Sequence, residues 1–512
     1  MLPPFRSRPS RVAAGCLALL LLAGRCGGER VEPSPAPSPL PTEPVAGAGT
    51  IRVAYPEEPS TLSPIEARSA ASRDILRAVL PSFFVVTPDL EYRPSLLAEE
   101  PSVTARGDRM LVEFRIRDDA RWSDGEPITV ADVAFTWRVM TDPDLPVAVR
   151  DGFEHLRDVE EISPTEGRLV LDRFEGWRDL FSAGRWVLPA HAVSELAEVA
   201  SWRGGPPVSG GPFTVGRWVP GRSITLTRSA SFTPPALVRR IEVVFVPDPT
   251  TAIQLIERGE VDVAAPALGV SWGRRLAEAG AGVSGAFGPD LVTLVLNVAH
   301  VSLEERRAIA DGIDRSRFVD VLLPGEARRA DGILAPEQPG AEPAWEGDGG
   351  GTPPSPGVEG ELDLVYADTE VLTFLARFVR EEMARVGVDV ELVGLESGLF
   401  NERWLPERRF DLALWEARGG PGPWLDRWFG SEGGEAVSGL QDARLDRLLS
   451  VAARGEAPAL TGAQRRLASL AAVLPIFQPE VTVGFLPGIG GVVANPTVDG
   501  PFWNAGEWSK AA

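Results

Sequence analysis

Residues 362 to 395 constrain the fold more than any other stretch: "LDLVYAD", then "VLTFLARFVREEMARVG", then "VDVELVGL". The outer two segments are rich in β-branched and apolar residues at strand length, and the middle one repeats its apolar residues at helical spacing. A crossover of this length joins parallel strands and runs right-handed. The chain is therefore committed to a mixed α/β fold. Other strand-like runs agree with this: "IRVAY" (51 to 55), "LVEFRIR" (111 to 117), "SITLTRS", "IEVVFV" and "VDVAA" between 223 and 265, and "LVTLVLN" (291 to 297). A helix should follow from Ser302, where Glu305 stands at capping-box spacing.

The N-terminus reads as an address. Arg6, Arg8 and Arg11 precede the apolar run "VAAGCLALLLLAG", which is too short for a bilayer that needs about 20 residues. A basic flank, a short apolar core and small residues ahead of Cys26 describe an export signal. The "LAG" before Cys26 resembles a bacterial lipoprotein processing box, although Arg25 stands where that box has a small residue. Residues 1–26 are thus read as a signal peptide with a lipidated Cys26. The Pro-rich stretch 27–49, "GGERVEPSPAPSPLPTEPVAGAG", is an extended tether. The body is then extracytoplasmic, at a cell surface or in a periplasm, anchored by lipid. A secreted protein cut free at an ordinary signal site is the alternative.

Composition excludes several classes. The formal charge is −21, and removing the arginines of the leader makes the body more acidic still. Nucleic acid, which is recognised through basic patches, is not its partner. Both cysteines, Cys16 and Cys26, lie in the leader, so the body has neither disulfide nor thiolate chemistry. About 460 residues follow position 49, enough for about three lobes at the usual domain size.

Catalytic patterns are scarce. "GVSWG", residues 269 to 273, matches a nucleophile elbow with Ser271 as nucleophile and His300 as a base downstream. No strand runs straight into that turn and no glycine-rich oxyanion loop accompanies it, so a surface turn is the plainer reading. His155, His191 and His300 are scattered without metal-ligand spacing, and the lysine of a phosphate loop is missing, Lys510 being the chain's one lysine. Neither a metal nor a cofactor is expected. "RWSDGEPITVADVAFTWR", residues 121 to 138, looks catalytic but reads as scaffold: Ser123 to Gly125 turn, Thr129 caps a helix with Asp132 at its third position, Ile128 staples onto Val133, and Val130, Val133, Ala134 and Trp137 form the buried stripe.

Seven stretches in order carry a family resemblance: "IRVAYPEEPSTLSP" (51 to 64), "RPSLLAEEPSV" (93 to 103), "RWSDGEPITVADVAFTWR", "GGPFTVGRWVPGRSITLTRSASF" (210 to 232), "IERGEVDVAAPA" up to 267, "RRAIADGIDRSRFVDVLLPGEA" (306 to 327) and "NPTVDGPFWNAGEW" (495 to 508). The chain resembles the extracytoplasmic solute-binding proteins of the peptide/nickel ABC importer class, the dipeptide- and oligopeptide-binding type. The resemblance implies a two-lobed α/β clamp of the periplasmic-binding-protein kind with an extra subdomain in lobe one. Lobe one would comprise 50–65, 200–285 and 480–512, its subdomain 66–199, and lobe two 286–479. A peptide or similar small solute would bind between the lobes of a monomer and pass to ABC permease subunits, with no catalysis. A sensor presenting its ligand to a receptor is the alternative on the same fold, and a serine hydrolase built on Ser271 the alternative in another class.

The resemblance also picks out "FDLALWEARGGPGPWLDRWF", residues 410 to 429, where peptide binders of the class hold the α-amino group with an aspartate. Here Arg418 stands at about that place and Glu416 two residues before it. A guanidinium repels an ammonium, so the usual clamp on a free N-terminus is absent unless Glu416 or Asp426 takes it over. The expected ligand-binding residues are Glu58, Ser60 and Thr61 after the first strand, Asn297 at the end of another, and Trp415, Glu416, Arg418 and Trp424. The Gly/Pro-rich segment 341 to 361 replaces a helix the class carries and is expected to trim lobe two.

Overall fold

The computed structural model describes residues 49–266, 271–345, 360–385, 387–417, 419, 425–433 and 437–511. Cys26, nearly all of the 27–49 tether, Arg418, Trp424 and most of the 341 to 361 segment lie outside the described residues.

Two hydrophobic cores form. The first draws on Ile51 to Ala265 and, across the whole length of the chain, on Val483 to Trp508. The second is built from Val292 to Phe477. Each core has its own strands, and one strand belongs to both. Val473–Phe485 pairs antiparallel with Leu291–Leu296 through its first half and with Val263–Ala264 and Gly282–Phe287 through its second. The result is a single twelve-stranded sheet that passes from one core to the other.

Local chemistry accounts for the parts. Leu291–Leu296 is buried at every position because it lies between two strands and is covered on both faces. The strand Glu361–Ala367, the helix Glu370–Arg385 and the strand Asp389–Leu395 form the expected unit, with the strands parallel and Glu361 opposite Asp389. Ser302 and Glu305 close a capping box on the helix Leu303–Gly312.

A second sheet of four strands includes Arg109–Arg115, with Met110, Val112 and Phe114 buried in alternation. The helix Val130–Thr141 packs beside it, and Thr129 and Asp132 form its capping box. Its buried face differs from the expected stripe. Val130 and Val133 are buried, but Phe135, Thr136, Val139 and Met140 complete the face, and Ala134 and Trp137 sit half-buried at its edge. The reason is that Thr136 hydrogen-bonds inward: its Oγ1 donates to Asp132 O and accepts Leu188 N at 2.8 Å. A polar side chain with buried partners has turned the helix away from the purely apolar solution.

Among the described residues, no helix is long and apolar enough to cross a membrane.

Candidate functional site

A cavity of about 120 Å³ opens between the two cores. The first core contributes Tyr55, Glu57, Asp74 and the loop from Asn495 to Pro501; the second contributes Asp290, Leu291, Val292 and Glu416. Residues 479 to 482 of the shared strand form its floor, Glu480 among them.

Five carboxylates thus converge on the cavity: Glu57, Asp74, Asp290, Glu416 and Glu480. Among the described residues that line it, none is basic. Asp74 is set by the helix Ala70–Arg77, which Ser69 caps, and it is only 2 % exposed. Its Oδ2 accepts a hydrogen bond from the Tyr55 hydroxyl, and Gly500 makes room for it. A Cβ at Gly500, which holds φ 56°, would overlap Asp74 Oδ1, so glycine is required there on both counts. Asp290 Oδ1 accepts the Gly419 amide at 3.1 Å, and Glu480 Oε2 accepts the Thr482 hydroxyl at 3.3 Å. Glu416 projects from the strand Leu412–Ala417, the one exposed position in a row of buried ones. No three of these acids converge as metal ligands; among the described residues no such cluster exists.

Carboxylate oxygens accept hydrogen bonds from cationic donors, which is what the arrangement can do chemically. It offers acceptors without a nucleophile or a base paired to one.

The other expected site residues are placed differently. Glu58, adjacent to Glu57, turns away from the cavity: its carboxylate accepts Trp218 Nε1 at 2.8 Å and Gly221 N at 2.9 Å, fastening the loop to a hairpin of the first core. Ser60 is exposed and does not line the cavity. Thr61 is buried, with Oγ1 accepting Ser63 N at 3.0 Å, a local turn. Asn297 stands at the opposite end of its strand from the cavity, which begins at Leu291. Its amide donates to Phe410 O at 2.9 Å and Arg408 O at 3.1 Å, so it ties strand ends together. Trp415 points to the reverse face from Glu416, as strand alternation demands, and packs edge-on against Trp428 at 5.3 Å. Asp426, the other acid considered for amine capture, lies in the short helix Leu425–Phe429 and does not line the cavity.

Ser271 and His300 are not brought together. Ser271 opens the helix Trp272–Glu278 with a left-handed backbone, φ 60°. The Glu326 carboxylate sits at that turn: burial raises its pKa, and the amides of Arg274, Ser271 and Trp272 partly offset this. A carboxylate occupies the place where an oxyanion would have to bind. His300 meanwhile pairs with Asp411 at 2.9 Å, at the far end of the second core's strands. His191 pairs with Asp124 at 2.8 Å, and His155 stacks on Phe174 at 4.5 Å.

The sequence reading missed Glu57, Asp74, Asp290 and Glu480. No local signal marks them, because the cavity assembles them from points hundreds of residues apart.

The two cores also touch beyond the cavity. Arg427 of the second approaches Asp151 of the first at 3.5 Å, and Glu175 N donates to Ala453 O at 3.0 Å.

Residues 92–434 match the profile of a family described as "Bacterial extracellular solute-binding proteins, family 5 Middle". A binding protein of Brucella melitensis is 32 % identical over 143 residues, 27 % of this chain and 22 % of that protein, so the chain spans about a fifth of the length of such relatives. Among solved structures, the periplasmic EDTA-binding protein EppA superposes with a TM-score of 0.81 at 21 % identity, covering 91 % of this chain and 97 % of that one. The oligopeptide-binding protein AppA of Bacillus subtilis superposes with a TM-score of 0.79 at 18 % identity, covering 91 % and 99 %. At these identities the likeness establishes the fold, an α/β clamp of two lobes.

Proposed function

The chain belongs to the bacterial extracellular solute-binding proteins of family 5, and we propose that it is the substrate-binding component of an ABC importer, capturing a small cationic solute between its lobes for delivery to a membrane permease. One observation carries the choice of ligand: five acidic side chains from both lobes line the cavity. Relatives of this fold include an EDTA-binding protein and one holding a nonapeptide, so the scaffold leaves the ligand open and the lining must decide it. At about 120 Å³ the cavity is well below the roughly 300–1,000 Å³ of drug-sized sites, which favours a compact amine. A primary or secondary ammonium, as in a diamine or the N-terminus of a dipeptide, would be held by Glu416 and Asp290 from lobe two and Asp74 and Glu57 from lobe one. Glu416 then takes the amine-binding part that the Trp415 to Arg418 segment leaves open.

The lobe boundaries we propose are 50–65, 200–285 and 480–512 for lobe one, 66–199 for its subdomain and 286–479 for lobe two. The separation of the two hydrophobic cores supports the division between lobe one and lobe two, while the subdomain shares its core with lobe one. Residues 27–49 and a lipidated Cys26 would keep the clamp within reach of its permease.

Calorimetric titration of the purified protein with a panel of diamines and dipeptides, free and N-acetylated, tests the reading. Free amines should bind and their acetylated forms should lose about tenfold or more in affinity. Equal binding of charged and acetylated forms, or preferred binding of anions at the cavity, would overturn it.

A further inference from the structure

The first core holds a cavity of its own, apart from the one between the lobes. A pocket of about 220 Å³ lies within the first core alone, between the helix Ala70–Arg77, the turn around Arg121, the 210 to 234 region and the closing segment from Phe502 to Glu507. Its character is opposite to that of the interlobe cavity. Arg77, Arg93, Arg117 and Arg121 line it, against two carboxylates, Asp119 and Glu507.

Those two acids are poorly placed to satisfy the arginines. Arg93 Nη2 stands 3.6 Å from Glu507 Oε1 and Arg117 Nε 3.6 Å from Asp119 Oδ1, both beyond hydrogen-bonding distance. Arg77 is the sharper case. It is 7 % exposed, its Nη1 donates to Ser82 Oγ, and its Nε has no hydrogen-bond partner. The Arg117 Nε is likewise buried without a hydrogen-bond partner. Asp499 lends Arg77 some countercharge, and Arg93 bears on it as a like charge. Burying a guanidinium with donors unused is costly, and such cost persists where a ligand repays it. The planar fork of arginine matches the oxygens of a carboxylate or phosphate.

Leu80, Ile128, Phe232 and Phe502 give the pocket an apolar wall, and Ser95, Ser231, Thr233 and Asn504 add polar groups to the lining. Trp503 lies under the Arg93 guanidinium at 5.3 Å and holds it in place from behind. An oxyanion at the arginines would leave this wall for a short hydrophobic group.

We propose that this pocket is a second ligand site, which binds the phosphate or carboxylate of a small organic anion independently of the interlobe cavity. Arg77, Arg93 and Arg117 contact the oxyanion, and Phe502 and Phe232 receive its apolar part.

The test is a titration of the purified protein at constant ionic strength with phenyl phosphate, benzoate and inorganic phosphate, read by calorimetry and by thermal melting, with phosphatidylglycerol vesicles as a separate arm. Phenyl phosphate should bind saturably and raise Tm by about 2 °C or more, because a ligand of the folded state stabilises it. Inorganic phosphate, lacking the apolar part, should bind more weakly. Arg93→Gln and Arg117→Gln, at the more exposed arginines where folding is least at risk, should each weaken phenyl phosphate about tenfold or more. Glu416→Gln should leave it unchanged, which separates this site from the amine site. Absence of saturable binding, binding indifferent to both arginine substitutions, or binding confined to the vesicles would overturn the proposal.

Discussion

The interlobe cavity and the lobe-one pocket are neighbours of opposite sign. One gathers five carboxylates and the other four arginines, yet both draw on the same two pieces of chain. The helix Ala70–Arg77 gives Asp74 to the first and Arg77 to the second, three residues on. The closing segment gives Asn495 to Pro501 to the first and Phe502 to Glu507 to the second. The difference teaches that charge sorting here is a matter of facing, fixed by one turn of helix and a few residues of loop, while the chain as a whole carries a net negative charge. Net charge alone would have assigned the molecule no affinity for anions at all.

The strongest way to break the comparison is to confuse cavity with core. Trp415→Ala should cost about 3–5 kcal/mol of stability in urea denaturation, as removal of a buried aromatic does, whereas Glu416→Gln beside it should change stability little. If Trp415→Ala instead spared stability and abolished amine binding, its placement on the reverse face would be wrong. Next in size, Glu416→Gln should weaken a bound diamine by about tenfold in calorimetry, near 1.4 kcal/mol. Asp74→Asn should do the same without touching Glu416, and a null result for both would detach the amine from the acids.

A control lies away from both sites. Ser302→Ala removes the hydroxyl that caps the helix Leu303–Gly312 and should cost about 1 kcal/mol by denaturation, with neither ligand affected.

The smallest effect sharpens the comparison through pH. Burial holds the Asp499 carboxyl above the usual carboxylate range, opposed by Arg77 and the Val86 amide and reinforced by Asp179 and Asp74. A raised carboxyl takes up its proton first as pH falls, and its neutral form is the one the fold favours, so its contribution to stability is largest at acid pH and is lost as pH rises through its folded value. Protonation also leaves Arg77 with less countercharge. Benzenesulfonate, which stays anionic throughout, should therefore bind the arginine pocket a few-fold more tightly as pH is lowered from about 7 to about 5. Asp499→Asn should flatten that profile.

What was legible in the sequence was local. The parallel strand-helix-strand unit at 362 to 395, the Thr129 cap with Asp132 at the third helical position and the Ser302/Glu305 capping box each depend on residues within a turn or a crossover of one another, and each forms, Thr129 and Asp132 closing a full capping box. The candidate site was legible in one residue, Glu416, reached through a family likeness and found in the cavity lining. The first-strand loop shows why the others were not. Glu57 and Glu58 are adjacent and chemically alike, and it is Trp218 and Gly221, far along the chain, that hold Glu58 structurally while Glu57 lines the cavity. Asn297 and Trp415 went astray by direction: strand ends and strand faces come in two kinds, and pattern alone does not say which meets the ligand. The turned helix at 130 to 141 failed through a buried Thr136, whose partner Leu188 is remote in sequence.

The strand shared by both cores has a temporal meaning as well as a spatial one. Lobe one opens at Thr50 but needs residues up to Trp508, fully buried, to finish its core, and Lys510 Nζ reaches back to Thr50 O at 3.2 Å. A chain threaded across a membrane N-terminus first would deliver the second core's residues, Val292 to Phe477, before its first core could close. The half that emerges earliest would then be the last to become native, and it must be kept from aggregating until the final thirty or so residues arrive.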